Sequence, residues 1–172
     1  VDFHPSMDDF FVSGSFDRRL RIWSIPDGRV VQWTQVPELI SAVTFAPLGE
    51  FVVVGMLNGI CSLYTEALKY YTQIELRNKQ GKFKGGRKVT GIRFSPDGTE
   101  MLVTTNDSRV RAILMSDFST VMKYKGATNT QMQISARYCG SGSRVICGSE
   151  DGKCIIWRSK HDMYQPNRAK SS

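Results

Sequence analysis

The chain has 172 residues, 41% of them hydrophobic, with a formal net charge of +7, a length that suits one ordinary domain. No stretch reaches the roughly eighteen apolar residues of a membrane-spanning helix, and no run of about twelve carries a 3.6-residue apolar period, so the chain reads as strands. Four cysteines without a C-x-x-C pair argue against a metal or disulfide framework and fit a reducing, cytosolic setting. In chain order, short alternating apolar runs bounded by Gly, Pro, Asn and Asp predict strands. The first group lies near 1–4, 10–15, 19–24 and 29–33, the second near 40–45, 50–55, 59–64 and 70–76. A third lies near 89–94, 100–105, 109–114 and 119–123. A fourth shows three strands, near 132–138, 144–148 and 153–158. Pro26-Asp27-Gly28, Asn58-Gly59, Pro96-Asp97-Gly98 and Asp151-Gly152 mark turns between them, where Asn and Gly tolerate a positive φ.

The groups are copies of one another. Phe3, Phe45, Phe94 and Tyr138 are 42, 49 and 44 residues apart. Each is followed by an Asp or Asn turn (Asp17, Asn58, Asp107, Asp151) and then an apolar strand, which ends in Trp23, Tyr64, Ile113 or Trp157. A period near 40–45 residues with an aromatic after an Asp turn is the signature of WD-type propeller blades. The expected fold is therefore all-β: a β-propeller segment over 1–160, with blades near 1–34, 40–76, 89–124 and 132–158. A basic Gly/Lys-rich loop at 77–88 and a polar tail at 161–172 complete the chain. Because it opens inside a first strand and ends after the third strand of its fourth unit, it is expected to be part of a larger ring, with a self-contained four-bladed ring as the alternative.

The repeat alignment assigns structural roles. Asp17, Asn58, Asp107 and Asp151 are expected to accept hydrogen bonds from their own turn backbone, and Trp23 and Trp157 to be buried at matching positions. The full WD tetrad also uses a His ahead of the blade's first strand. His4 and His161 are the only histidines and neither sits there, so the hairpins are expected to be less rigid than those with a full tetrad. Cys61 and Cys154 share a column with Leu20 and Val110, and Cys147 one with Ser13, Val54 and Val103, which reads them as small buried apolar side chains. The residues just before the turn Asp or Asn, namely Phe16, Leu57, Asn106 and Glu150, project from the hairpin face and are the candidate partner-binding residues. Phe16 and Leu57 are large and apolar on a turn, with tucking back against their own blades as the alternative.

The charge is concentrated. Arg77, Lys79, Lys82, Lys84, Arg87 and Lys88 follow one another with no acid between them and account for nearly all of the +7. They are the candidate anion-binding residues, toward acidic protein, anionic lipid headgroups or nucleic acid, against a plain solvated loop. Nucleic acid is the least favoured, because one aromatic, Phe83, accompanies the cations. Catalysis finds no support. The spacing of Gly81 and Gly86 lacks the Lys-Ser/Thr and the following helix of a phosphate loop. Cys139 to Ser143 aligns with the ordinary turn at Ser95-Pro96-Asp97-Gly98, and neither His has triad partners. No cofactor or metal is expected.

A narrower resemblance rests on Gly86-Arg87-Lys88-Val89-Thr90-Gly91-Ile92, Val103 to Arg111, Met122-Lys123-Tyr124-Lys125-Gly126, Gln133-Ile134-Ser135-Ala136 and Gly148-Ser149-Glu150-Asp151 with Ile156-Trp157. With Tyr71 to Ile74 and Phe11 to Ser15, these stretches resemble the WD domain of the rabphilin-like, Rab-GTPase-binding WD-repeat proteins over essentially the whole chain. The resemblance implies a seven-bladed, non-catalytic domain at the C-terminal part of a larger cytosolic protein linked to recycling-endosome traffic. It also implies that partner-binding segments largely precede the propeller. The expected function is a scaffold for other proteins, a Rab GTPase or its complexes among them. Peripheral binding to anionic membrane through the basic loop is the alternative, and an RNA-associated WD protein the second.

Overall fold

The computed structural model describes residues 1–76 and 87–160. These residues form fifteen strands in four antiparallel sheets, each in chain order. The first sheet is β1 (Asp2–Phe3), β2 (Phe10–Gly14), β3 (Arg19–Ser24) and β4 (Arg29–Gln35). The second is β5 (Ile40–Phe45), β6 (Phe51–Met56), β7 (Ile60–Thr65) and β8 (Tyr70–Glu75). The third is β9 (Val89–Phe94), β10 (Glu100–Thr105), β11 (Arg109–Leu114) and β12 (Thr120–Tyr124); the fourth is β13 (Arg137–Tyr138), β14 (Arg144–Gly148) and β15 (Cys154–Arg158). This is the all-β, unclosed run of propeller blades expected from the repeat.

The sheets stack face to face, which is why their middle strands are apolar on both faces rather than on one. In β6, Val52, Val54 and Met56 pack toward the first sheet while Val53 packs toward the third. A third core joins the third and fourth sheets through Leu102, Val110, Ala112, Val145 and Cys147. Complete burial of Val52, Val53 and Val54 stabilises the fold by roughly 1.5–3 kcal/mol each. Around β9 the neighbouring sheets approach too closely for a side chain at two glycines. A Cβ at Gly55 would lie 2.4 Å from Val89 Cγ1, and one at Gly91 2.2 Å from Ser135 Oγ. Polar bonds also cross between sheets: Thr44 Oγ1 and the Phe45 amide donate to Asp2 (2.6 and 3.0 Å), and the Tyr138 hydroxyl donates to buried Glu100 at 2.5 Å.

Three expectations are corrected. The first strand of the fourth sheet is two residues long rather than starting near 132, because its lead-in bonds elsewhere: the Ala136 amide donates to Thr104 Oγ1 (3.0 Å), and Gln133 Nε2 donates to the carbonyls of Ser41 and Thr90 (2.8 Å each). Trp23 and Trp157 are half-buried: Trp23 is on the face of the first sheet turned away from the second, and Trp157 is at the margin of the third core on the last strand of its sheet. Trp23 stacks on Phe11 (5.8 Å between centroids) and donates to Ser13 Oγ at 2.8 Å, whereas Trp157 packs on Tyr124 and donates to the Lys125 carbonyl. Cys154 is exposed with Ile146 and Ile156, since no described sheet covers that face, whereas Cys61 and Cys147 are buried.

Candidate protein-interaction face

The β2–β3, β6–β7, β10–β11 and β14–β15 hairpin turns share one end of the stack. Their geometry follows from the turn residues. The position after each Asp or Asn takes a left-handed φ: 62° at Arg18, 80° at Gly59, 59° at Ser108 and 80° at Gly152. Asp17 Oδ1 accepts the Arg19 amide at 3.0 Å and Asn58 Oδ1 the Ile60 amide at 3.1 Å, as a short polar side chain at a turn should. At Asp151 the carboxylate takes the Lys153 ammonium at 3.0 Å. Asp17 also receives a two-point bond from Arg21, which holds its carboxyl far below the usual range.

Asp107 breaks the pattern, with a buried carboxylate where Asp17 and Asp151 are exposed. Its carboxylate, 3% exposed, accepts Arg111 Nη2 at 2.8 Å, Arg87 Nη1 at 2.5 Å and the Thr105 hydroxyl. Arg111 is itself 1% exposed and donates to Thr105 Oγ1 at 2.6 Å. Burial by itself would raise the Asp107 carboxyl; the donations from Arg111, Thr105 and Arg87 outweigh it and keep the pKa below the ordinary value. Arg87 stands just ahead of β9, so a guanidinium delivers to this turn what the tetrad's His would. Its candidate anion-binding role is thereby corrected: the side chain is bonded to a carboxylate of its own chain.

The four pre-turn residues differ. The amides of Leu57, Asn106 and Glu150 donate to the segment leading into their own sheet, at the carbonyls of Leu39 (3.1 Å), Lys88 (3.0 Å) and Thr128 (2.9 Å), and all three are half-buried. Phe16 is 64% exposed. Glu150 turns inward: it accepts the amides of Thr130, Gln131 and Met132 at 2.7–2.8 Å and the Thr130 hydroxyl at 2.7 Å. The amides of Met132, Gln131 and Thr130, with that hydroxyl, hold its carboxyl down at about 2. The lead-in bends around the carboxylate, and Met132 projects into solvent, 63% exposed. Met132 was not legible as a site residue, although Glu150, the one acid among the four pre-turn positions, signals a carboxylate seeking donors. Phe16 and Met132 thus share the turn end, beside acids that are bonded within the chain.

Of the candidate cations, Arg77, Lys79, Lys82 and Lys84 lie outside the described residues, as does the 161–172 tail. Their described flanks meet at one place: the Leu76 amide donates to the Gly59 carbonyl at 3.3 Å, and the Arg87 backbone lies 2.7 Å from where a Cβ on Gly59 would be. Lys88 is half-buried. At the opposite end, Cys139 occupies the position of Ser95. Its sulfur accepts the Arg144 amide at 3.3 Å as Ser95 Oγ accepts that of Glu100 at 2.9 Å, which is the strand-to-strand turn expected.

Comparison with known proteins agrees with the fold. A family description reading "WD domain, G-beta repeat" matches residues 1–24, 77–112 and 118–158, together more than half of the chain. The chain is 42% identical over 167 residues to WD repeat-containing protein 44 of Xenopus laevis, covering 95% of this chain and 18% of that protein. It is 32% identical over 165 residues to an uncharacterized WD repeat-containing protein of Schizosaccharomyces pombe, covering 91% of this chain and 28% of that protein. The 2-deoxy-glucose resistant protein 2 of Saccharomyces cerevisiae is 27% identical over 179 residues, or 91% of this chain and 21% of its own length. The chain therefore spans between about a fifth and just over a quarter of these relatives. WD domains are in general non-catalytic platforms that bind other proteins. With its repeat, its stacked antiparallel sheets and these matches, the chain belongs to the WD-repeat family.

Proposed function

We propose that this chain is a non-catalytic scaffold that receives a protein partner on its turn end, in Rab-GTPase-linked vesicle traffic, in the cytoplasm and peripherally on endosomal membranes. The observation that carries the interaction face is the pair of exposed apolar side chains, Phe16 and Met132, on an end whose acids are bonded within the chain. Exposed apolar groups beside satisfied polar ones favour binding, since little polar surface must be desolvated. The Rab and endosomal reading is supported by the family resemblance of Gly86 to Ile92, Val103 to Arg111 and the other stretches named above. The test is a pull-down from cell extract with the intact protein, wild type against Phe16→Ala with Met132→Ala, beside a thermal melt. Binding of added Rab GTPases loaded with GDP or a GTP analogue is measured in parallel. The double variant should keep the melt and lose the partner by about 2 kcal/mol or more if either residue is a hot spot. Equal capture would refute the face, and no Rab contact in either nucleotide state would refute that part.

A second reading is peripheral binding to anionic membrane. It is supported by the uninterrupted basic run in the sequence between Leu76 and Arg87, the two described residues that meet at Gly59. Phosphatidylserine vesicles should then bind at low salt and release at physiological salt. Replacement of Lys79, Lys82 and Lys84 by Ser should abolish that binding.

A further inference from the structure

The end opposite the hairpin turns has the reverse electrostatic character. In the first three sheets it consists of six turns, residues 4–9, 25–28, 46–50, 66–69, 95–99 and 115–119. They contain seven carboxylates and one ammonium, Lys69. Asp97 and Asp117 bond within their own turns. Asp8, Asp9, Asp27, Glu50 and Glu66 are exposed and make no ion pair among the described residues.

These turns form one ledge rather than separate projections. Gly49 and Gly98 have φ of 82° and 73°, and each leaves room for the neighbouring turn. His4 Nε2 lies 2.5 Å from where a Cβ on Gly49 would be, and Pro47 Cγ 3.1 Å from that on Gly98. His4 Nδ1 in turn accepts the Met7 amide at 3.1 Å, and the Ile25 amide donates to the Asp9 carbonyl at 2.8 Å. The Glu66 amide donates to the Glu50 carbonyl at 3.2 Å. Ile25, Met7 and Leu48 are thereby strung along this ledge. All three are exposed, Leu48 by 83%, at a position where a polar residue would cost nothing.

From this juxtaposition we propose that the ledge is a second docking surface, for a protein segment in which lysine or arginine alternates with apolar side chains. Leu48, Met7 and Ile25 supply the apolar contact. The free carboxylates on either side choose the occupant, because like charges opposite them are strongly disfavoured and unlike charges raise both specificity and association rate. The surface is at the other end of the sheets from Phe16 and Met132, so it stands independently of the function proposed above.

The test uses the intact protein and fluorescence anisotropy with three labelled peptides. All share one length and one leucine pattern, with the remaining positions lysine, glutamine or glutamate. The lysine peptide should bind about tenfold more tightly than the glutamine peptide, and the gap should close as salt rises from about 0.05 to about 0.5 M. Leu48→Ser should weaken both peptides severalfold, and Glu50→Gln with Glu66→Gln should weaken only the lysine peptide. Neither variant should alter the thermal melt. Phe16→Ala with Met132→Ala should bind the lysine peptide as the wild type does. Absence of saturable binding, equal affinity for the lysine and glutamine peptides, or loss of binding in the Phe16/Met132 variant would each overturn the proposal. Sedimentation velocity completes the test: self-association that Leu48→Ser abolishes would assign the ledge to a second copy and overturn the proposed occupant.

Discussion

Replacing Asp107 by Ala would remove one carboxylate shared by Arg111, Arg87 and Thr105. Arg111, 1% exposed, would then lose the carboxylate to which its buried guanidinium donates. Loss of one partner of a buried pair costs about 3–5 kcal/mol, a large part of a domain stability of roughly 5–15 kcal/mol. Asp17 and Arg21 provide the control, since they have the same spacing and a closer contact of 2.5 Å, but the Asp17 side chain is 45% exposed. If burial rather than contact distance sets the energy, Asp17→Ala should move the urea midpoint far less. The pH dependence adds a second readout. The folded Asp107 carboxyl lies below its ordinary value, so its contribution is fully present above the unfolded pKa of about 3.9 and is lost as pH falls through the folded value. The gap between wild type and Asp107→Ala should therefore be wide at neutral pH and narrow in acid. Equal losses for the two alanine variants, or a gap that does not change between neutral and acid pH, would refute the reasoning.

Three other expectations follow from single sites. Gly59 and Gly152 share a φ of 80°, but a Cβ meets the Arg87 backbone only at Gly59; Gly152→Ala should cost about 1 kcal/mol and Gly59→Ala about 2 kcal/mol or more in urea melts. The Cys139 thiol is lowered to about 6 by the hydroxyls of Ser141 and Ser143 and the Arg144 amide, whereas burial pushes Cys61 up to about 12. Iodoacetamide at neutral pH, followed by peptide mass spectrometry, should label Cys139 well before Cys61, with a rate that levels off above about pH 7; equal labelling would count against this. Glu150→Gln should release the 130–132 segment, read as faster hydrogen exchange at the Thr130, Gln131 and Met132 amides. In the wild type the same protection should persist in mild acid and fail only as pH falls toward about 2, because the group's folded pKa is depressed.

The strands were legible because each sheet is built locally. An alternating apolar run, a Gly or Asp-rich turn and a second run pair with one another before distant residues are needed, and every strand after β1 except β13 lies within two residues of its expected place. β13 fails for a long-range reason: the donors of its lead-in are taken by Glu150, Thr104 and the Ser41 and Thr90 carbonyls, from positions up to 92 residues away. The tryptophans fail differently. Their column predicts alignment, which holds, but burial depends on surroundings that alternation within one strand cannot reveal: no described sheet covers the Trp23 face, and Trp157 sits at the margin of the third core on the last strand of its sheet. The candidate site divides along the same line. The turn acids were legible from the repeat, whereas the pairing of Arg87 with Asp107, twenty residues on, was hidden because a guanidinium ahead of a strand looks like one more cation in a basic run.

The same turn is thus held by different chemistry in each sheet: a partly exposed ion pair at Asp17, an uncharged Asn58 with a glycine against which the Arg87 backbone lies, a buried two-arginine cluster at Asp107, and an amide-saturated carboxylate at Glu150. In three of the four the acid is bonded to donors from its own chain. The acids of the opposite end are mostly left to solvent. A repeat that conserves backbone geometry while varying what satisfies each turn therefore gives the two ends of one stack opposite character. The hairpin end is rich in satisfied charge with isolated apolar side chains; the other end is a carboxylate-lined apolar ledge. Two ends of unlike chemistry on one rigid set of sheets suit a scaffold that holds two partners at once. If they do so without coupling, a lysine peptide at the ledge should leave the affinity of the hairpin-end partner unchanged. A change of tenfold, about 1.4 kcal/mol of coupling, would show instead that the stack transmits strain between its ends.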